Sequence, residues 1–232
     1  MVRRMKKLSI IIPVYNEVSF VDTLLTSVYD QKLPGWKKEV IIVDDGSVDG
    51  TSERLKAWER RVIVLYKPKN GGKGTALTAG FKRATGDIIL IQDSDLEYSP
   101  ADYQALLTPF ENDRVEVVYG SRFLGAHLST MFVYELGNKF VTFITNILYN
   151  TNITDMETGY KVFRRNVLNR IVITAHRFDF EPEFTAKALK AGCQIYEVPI
   201  SYYGRMFSEG KKLTWRDGIM AVITLLRYRF FQ

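Results

Sequence analysis

Three acidic clusters in the first half of the chain are spaced so that a single fold can bring them together. Gln92-Asp93-Ser94-Asp95, directly after the apolar run 88–91, sets two carboxylates with one residue between them. Side chains alternate along a strand, but where the chain turns at its end two such carboxylates can reach one hard cation. Mg²⁺ or Mn²⁺ held by one or two carboxylates completes its shell with water and substrate phosphate oxygens. Asp44-Asp45-Gly46-Ser47 follows a second apolar run, where a carboxylate can accept hydrogen bonds from a ribose hydroxyl or a base N–H. Ser47 and Asp49 also suit the cap of the helix that follows, so capping and binding stay open there for different residues. Tyr15-Asn16-Glu17 stands after the first run.

Further along, Lys69-Asn70-Gly71-Gly72-Lys73-Gly74-Thr75 invites comparison with a phosphate loop, but Lys67 stands where the G-x-x-x-x-G-K-[ST] spacing needs its first glycine. A nucleotide-hydrolysing P-loop is excluded. A glycine-rich turn before a helix still offers backbone N–H groups to a ligand, or is a turn with a solvated lysine. Arg122 and Arg205 read as loop arginines suited to bidentate phosphate recognition; Lys211 and Lys212 suit solvent as well as phosphate. Asp155-Met156-Glu157-Thr158-Gly159 and Phe178-Asp179-Phe180-Glu181-Pro182-Glu183 interleave carboxylates with aromatics, a pattern that can hold a general base or orient sugar hydroxyls. Glu181 and Glu183 also fit the first turn of a helix.

The elements that position these residues follow from apolar periodicity. Runs at 8–14, 40–43, 62–66 and 88–91 are apolar without alternation and read as buried strands. Between them, 20–30, 51–58 and 76–84 have helical spacing. Strands of this kind separated by helices predict an α/β open, mostly parallel sheet covered on both faces, whose ligands bind beyond the carboxyl ends of the strands. The second half is less regular: strands at 116–119 and 194–200, helices at 131–149, 165–171, 183–191 and 213–231. No repeat, low-complexity segment or Pro/Gly linker divides the 232 residues, so one domain is expected, with a donor half over about 1–120 and an acceptor half over about 121–232.

Composition narrows the partners. Apolar residues make up 46% and charged residues 25%, an ordinary globular mixture, and the net charge of +6 favours anionic partners. Basic residues are dispersed and the expected crevice is acidic, so nucleic acid is not an expected partner. Cys193 is the single cysteine, which excludes an intrachain disulfide and Cys-rich zinc modules, and His127 and His176 have no metal-protease spacing. The basic start lacks a signal-peptide cleavage pattern, and no apolar run reaches the roughly 18 residues needed to span a bilayer. A cytoplasmic protein, peripheral at the membrane face, is the expectation.

In order and interval, Ile10-Ile11-Ile12-Pro13-Val14-Tyr15-Asn16-Glu17, Asp44-Asp45-Gly46-Ser47 and Asp93-Ser94-Asp95 resemble glycosyltransferase family 2, inverting transferases of the GT-A type that use nucleotide sugars. The second-half series Tyr119-Gly120-Ser121-Arg122-Phe123, Asp155 to Lys161 and Phe178 to Glu183 is similar to the dolichyl-phosphate mannose synthase and polyprenyl-phosphate glycosyltransferase branch. The resemblance implies a GT-A, Rossmann-like fold. It implies that Pro13, Tyr15, Glu17, Asp44, Asp45, Lys73 and Asp93 bind the nucleotide sugar, and that Asp93 and Asp95 hold Mg²⁺ or Mn²⁺. Arg122, Arg205 and Lys211 would meet phosphates of donor or acceptor, and Asp95, Asp155 and Arg122 would act at the reacting centre. Glu97 stands where mannose synthases commonly have Gln, so a third carboxylate is available to the metal. Processive polysaccharide synthases carry Gln-x-x-Arg-Trp and membrane helices; this sequence has neither, and a processive polymerase is not expected.

The expected reaction is transfer of one hexose, of mannose or glucose type, from a GDP- or UDP-sugar to a polyprenyl or dolichyl phosphate. A lipid acceptor implies membrane contact, for which the aromatic helix at 131–149 and the basic-aromatic end of the last helix, Arg227-Tyr228-Arg229-Phe230-Phe231, are suited, as both are to core or oligomer packing. Two alternatives stand beside it. A transferase acting on a soluble sugar or glycan would need a base, with Asp155 or Glu183 as candidates. A non-catalytic subunit would bind nucleotide sugar without turnover.

Overall fold

The computed structural model describes residues 6–125, 132–204 and 215–231. Its centre is a seven-stranded sheet ordered β3-β2-β1-β4-β6-β5-β7. In chain order the strands are β1 (Lys6–Val14), β2 (Trp36–Asp44), β3 (Ile63–Tyr66), β4 (Ile88–Ile91), β5 (Val117–Ser121), β6 (Lys161–Arg164) and β7 (Ile195–Pro199). The helices are α1 (Val21–Asp30), α2 (Thr51–Lys56), α3 (Lys73–Arg83), α4 (Tyr103–Leu107), α5 (Phe132–Tyr149), α6 (Phe180–Lys190) and α7 (Trp215–Phe230).

The apolar runs become strands because both of their faces are covered. Leu8, Ile10, Ile12 and Val14 of β1 pack with Leu24, Val28 and Leu55 of α1 and α2, while Ile11 packs on the opposite side with Ala76 and Leu77 of α3. All of these side chains are buried, so alternation along β1 sorts residues between two cores and not between core and water. β1 pairs in parallel with β2 and with β4, in registers that set Val14 beside Asp44 and Ile11 beside Ile91. The three acidic clusters therefore leave neighbouring strands at one edge of the sheet.

The second half adds β6, β5 and β7 to the same sheet, with β6 antiparallel to both β4 and β5. Lys-Val-Phe-Arg carries no apolar run, and sequence periodicity does not announce β6. The helix expected at 165–171 is instead a short 3₁₀ turn, Arg165–Asn169. Its start is tethered sideways: Arg165 N–H donates to the Asp87 carbonyl at 3.0 Å and its Nε to the Gly86 carbonyl at 2.9 Å, which holds the chain against the entrance to β4. Residues 131, 213 and 214 of the expected helices lie outside the described residues.

Candidate active site

At the ends of β1 and β2 the loops are stitched together by side chains. Asn16, at φ +53°, accepts Val48 N–H on Oδ1 at 2.8 Å, and its own N–H reaches Ser47 Oγ at 3.0 Å. Glu17 is buried, with its N–H on Thr51 Oγ1 at 2.9 Å; Pro13 is buried in β1 and Tyr15 is half-buried beyond it. Asp44 takes Ser47 N–H at 3.0 Å and the Ser52 hydroxyl, which makes it an anchor of its own loop. Asp45 turns the other way. Its carboxylate accepts Gly71 N–H at 3.1 Å and Gly72 N–H at 2.6 Å and pairs with Lys67. The backbone donors of the glycine-rich turn are thus directed at a carboxylate from the neighbouring strand.

Lys73, which follows this turn, is not a solvated lysine. Its ammonium lies 2.6 Å from Asp93 Oδ1 and 2.7 Å from Glu181 Oε1. Burial opposes the charge, but Asp93 and Glu181 outweigh it and hold the ammonium above its ordinary range. Asp93 is fixed from two further sides. The residue before it, Gln92, is fully buried and accepts hydroxyl protons from Tyr103 and Tyr160, each at 2.7 Å. Gly159 lies so close that a Cβ there would collide with the Asp93 carboxylate. Asp95 Oδ1 accepts Glu97 N–H at 3.3 Å across Leu96, a non-glycine residue at φ +62°. Such backbone costs on the order of 1 kcal/mol or more and persists only where its surroundings fix it. Glu97 is buried and accepts the Tyr202 hydroxyl at 2.7 Å.

The other wall comes from β5, β6 and the exit of β7. Arg122, just past β5, binds Asp155 side-on, with Nε to Oδ2 at 2.7 Å and Nη2 to Oδ1 at 2.7 Å, while its N–H adds a third bond to Oδ2 at 3.0 Å. Asp155 is fully buried and its oxygens are taken. In this side-on pairing Nη1 is the guanidinium nitrogen turned away from the carboxylate. The guanidinium stacks over Tyr202 at 5.2 Å and Phe123 at 5.8 Å.

Between the Lys73 and Arg122 pairs lies Glu157, which sequence reasoning left in the shadow of Asp155. Among the described residues, the buried side-chain oxygens without a hydrogen-bond partner include Glu157 Oε1 and Glu181 Oε2. Burial, and then the Glu181 charge, push the Glu157 carboxyl up to about 7. Lys161, fully buried, gives its ammonium to the carbonyls of Met156 at 2.8 Å and Thr158 at 2.6 Å, and burial lowers it to about 8. These two carboxylate oxygens, closed to solvent and without a protein donor, leave a hydrogen-bonding demand unmet beside the Lys73 and Arg122 pairs.

The fold thus brings Pro13, Tyr15, Glu17, Asp45, Lys73, Asp93, Asp95, Arg122 and Asp155 to one edge of the sheet. Glu183 is elsewhere: Thr174, Ala175, Lys187 and Tyr228 occupy its carboxylate. Arg205 and Lys211 lie outside the described residues. Among the described residues no three His, Cys, Asp or Glu side chains gather around one point, so Glu97 does not complete a protein-only cage with the two aspartates. Mg²⁺ or Mn²⁺ accepts two carboxylates and fills its remaining positions with water and phosphate; Asp93 and Asp95 are the carboxylates past β4 that could supply them, with Asp93 Oδ1 shared with the Lys73 ammonium.

Comparison with known proteins gives the same direction. The family model described as glycosyl transferase family 2 matches residues 9–172. An uncharacterized protein of Methanocaldococcus jannaschii is 28% identical over 96% of this chain and 92% of its own length. The dolichol-phosphate mannosyltransferase of Pyrococcus furiosus is 28% identical over 88% of this chain, which spans 59% of that protein. A UDP-N-acetylglucosamine–dolichyl-phosphate N-acetylglucosaminyltransferase of Methanococcus voltae is 29% identical over 84% of this chain and 85% of its own. Among solved structures, glucosyl-3-phosphoglycerate synthase of Mycobacterium tuberculosis with UDP superposes with a TM-score of 0.73 at 21% identity, over 97% of this chain and 80% of that one. The same enzyme with Mn²⁺, UDP-glucose and phosphoglyceric acid gives 0.72 at 18% identity, over 97% and 80%. These superpositions identify the fold as GT-A.

Proposed function

The chain belongs to glycosyl transferase family 2, and from that premise we propose that this glycosyltransferase moves a single hexose from a GDP- or UDP-sugar to a polyprenyl phosphate, with inversion at the anomeric carbon. Tyr15, Glu17 and Asp45 hold the nucleoside at the ends of β1 and β2. Asp93 and Asp95 hold Mg²⁺ or Mn²⁺, which when bound offsets the charge that grows on the departing diphosphate. Arg122, oriented by Asp155, turns Nη1 to the acceptor phosphate and brings its oxygen to the face of the sugar opposite the diphosphate.

The observation that carries this reading is the Arg122–Asp155 pair. The Asp155 carboxylate, a candidate base for a hydroxyl acceptor, instead holds Arg122 through three hydrogen bonds. A phosphate monoester has a second pKa of about 6 and is ionised at neutral pH without a base. The dolichyl-phosphate acceptors in the names of two relatives support the same choice. One observation favours a second reading. The Glu157 carboxyl, raised by burial to about 7, has the pKa of a general base for a hydroxyl of a soluble sugar, provided that substrate binding opens the site to it.

The test is transfer from radiolabelled UDP- and GDP-hexoses to a short-chain polyprenyl phosphate in detergent, with Mg²⁺ or Mn²⁺ and with Asp95→Ala as control. A lipid-extractable product absent in the variant supports the proposal and names the sugar. Metal-dependent donor hydrolysis without lipid product moves the acceptor to a soluble hydroxyl. No binding or turnover of any donor leaves a non-catalytic subunit.

A further inference from the structure

Resting on the lipid-phosphate reading, we infer that the outward sides of α5 and α7 form one docking surface for an anionic bilayer, with the acceptor arginine at its edge. The first half of α5, residues 132–140, buries no side chain. Phe132, Val133, Leu136, Phe140, Phe143 and Ile147 are all exposed, Phe132 at 75% and Phe143 at 59%. Their spacing follows one face of a helix. On α7 the exposed residues Ile219, Met220, Ile223 and Phe230 do the same. Both helices already spend another face on the core, through Val141 of α5 and through Ala221, Leu225 and Tyr228 of α7.

The two stripes belong to adjacent helices. The Tyr149 hydroxyl at the end of α5 donates to the Leu225 carbonyl of α7 at 2.8 Å, and the Arg229 guanidinium lies over the Tyr149 ring at 5.9 Å. Single exposed apolar residues are ordinary on a protein surface; contiguous stripes on neighbouring helices mark an interaction site. Among the described residues no helix is long and apolar enough to cross a membrane, so the geometry is that of helices lying in an interface.

Charge selects the occupant. The exposed ionised residues of the two helices, among those described, are Lys139, Arg227 and Arg229, all basic. The acids Glu135 and Asp217 are half-buried, and Glu135 pairs with Lys139 at 2.6 Å. A two-fold dimer through this face would set like charges against one another, whereas anionic headgroups complement them. Position points the same way. The Lys139 ammonium lies 5.5 Å from the Phe123 ring, and the Arg122 guanidinium lies over that ring at 5.8 Å. One aromatic ring therefore separates the α5 stripe from the arginine that receives the acceptor phosphate, and a lipid anchored in the bilayer beneath α5 presents its headgroup there.

The test floats the full chain with vesicles of phosphatidylcholine alone and of phosphatidylcholine with phosphatidylglycerol, and in parallel measures transfer to polyprenyl phosphate in detergent micelles and in the same vesicles. The protein is expected to float with the anionic vesicles and weakly with the neutral ones. Phe140→Asn with Phe143→Asn, on exposed positions, is expected to lower vesicle affinity at least about tenfold. Arg227→Gln with Arg229→Gln is expected to weaken binding and flatten its salt dependence. Both variants should keep transfer in micelles and lose it in vesicles. Failure of the wild type to float with anionic vesicles overturns the docking surface, even if transfer in micelles stands. A dimer in solution that the Phe140/Phe143 variant splits into monomers overturns it in favour of a second copy. Flotation without transfer to any polyprenyl phosphate leaves the surface standing and removes the acceptor reading instead.

Discussion

Replacing Asp155 with Asn separates an arginine positioner from a proton acceptor. Asp155 is fully buried and receives Nε and Nη2 of Arg122 at 2.7 Å each. Asn keeps the volume, removes the charge, and turns an NH₂ group toward guanidinium donors. Removing one partner of a buried ion pair leaves the other charge uncompensated, at a cost of about 3–5 kcal/mol. Arg122 is 8% exposed, so water recovers little of that loss. The value expected for Asp155→Asn is therefore about 3 kcal/mol or more. In urea this lowers the unfolding midpoint by about 1 M, with the slope unchanged. The double variant Arg122→Leu, Asp155→Leu removes both charges and should regain most of the stability, and with the single variants Arg122→Leu and Asp155→Leu it should give a coupling energy of about 2 kcal/mol or more. Neither variant should transfer sugar, because the phosphate has lost its arginine or the arginine its orientation. An Asp155→Asn protein with a native midpoint and a lower kcat alone would refute the reasoning and make Asp155 a base. So would a double variant no more stable than the single one.

Gly159→Ala drives a Cβ into the Asp93 carboxylate and to 3.0 Å from Tyr98 Cε2; transfer should fall about a hundredfold through misplacement of Asp93, with weaker Mn²⁺ binding in the presence of nucleotide measured by calorimetry. Lys73→Met leaves Asp93 and Glu181 without their shared cation, and about 3 kcal/mol of stability should be lost in urea together with donor binding. Glu157 has a folded pKa raised from 4.5 to about 7, so the folded protein holds that proton more tightly and wild-type stability should decline as pH rises through this window. Glu157→Gln should decline less steeply over the same range by urea titration, since Glu197 and Asp102 are also raised by burial; parallel curves would remove Glu157 from the buried set. If the acceptor is a phosphate, Glu157→Gln also keeps transfer at neutral pH, whereas a hydroxyl acceptor predicts loss of an ascending limb near pH 7.

The strands β1, β2 and β4 were legible because residues buried on both faces leave an uninterrupted apolar run, and their parallel order follows from the helices between them. The same logic located Asp45, Asp93 and Asp95, since strand ends are positions that topology dictates. Partners were not legible. That Lys73 is buried between two carboxylates depends on α6 arriving beside α3, and nothing local to the glycine-rich turn encodes it. β6 was hidden because Lys161 reads as polar, and only the carbonyls of Met156 and Thr158 and the Tyr119 ring make it a core residue. Glu157 was present in the motif, but its significance lies in what fails to bond to it, which no spacing reveals.

The reversed direction of β6 has a consequence for how such chains can change in length. Residues 155–160 enter the crevice at the amino end of a strand, while Asp45, Asp93 and Arg122 leave it from carboxyl ends. The pairing of Tyr119 with Lys161 and of Val118 with Val162 holds this segment in register. A one-residue insertion there would exchange the two faces of β6, setting the Lys161 ammonium into an apolar layer. Insertions are better absorbed at the exposed turn 112–114, which meets β6 through Arg164, at the end of the strand away from the crevice. The stretch from Asp155 to Lys161 works as a ruler, whose number of residues is as constrained as the identities of Asp155 and Gly159 within it.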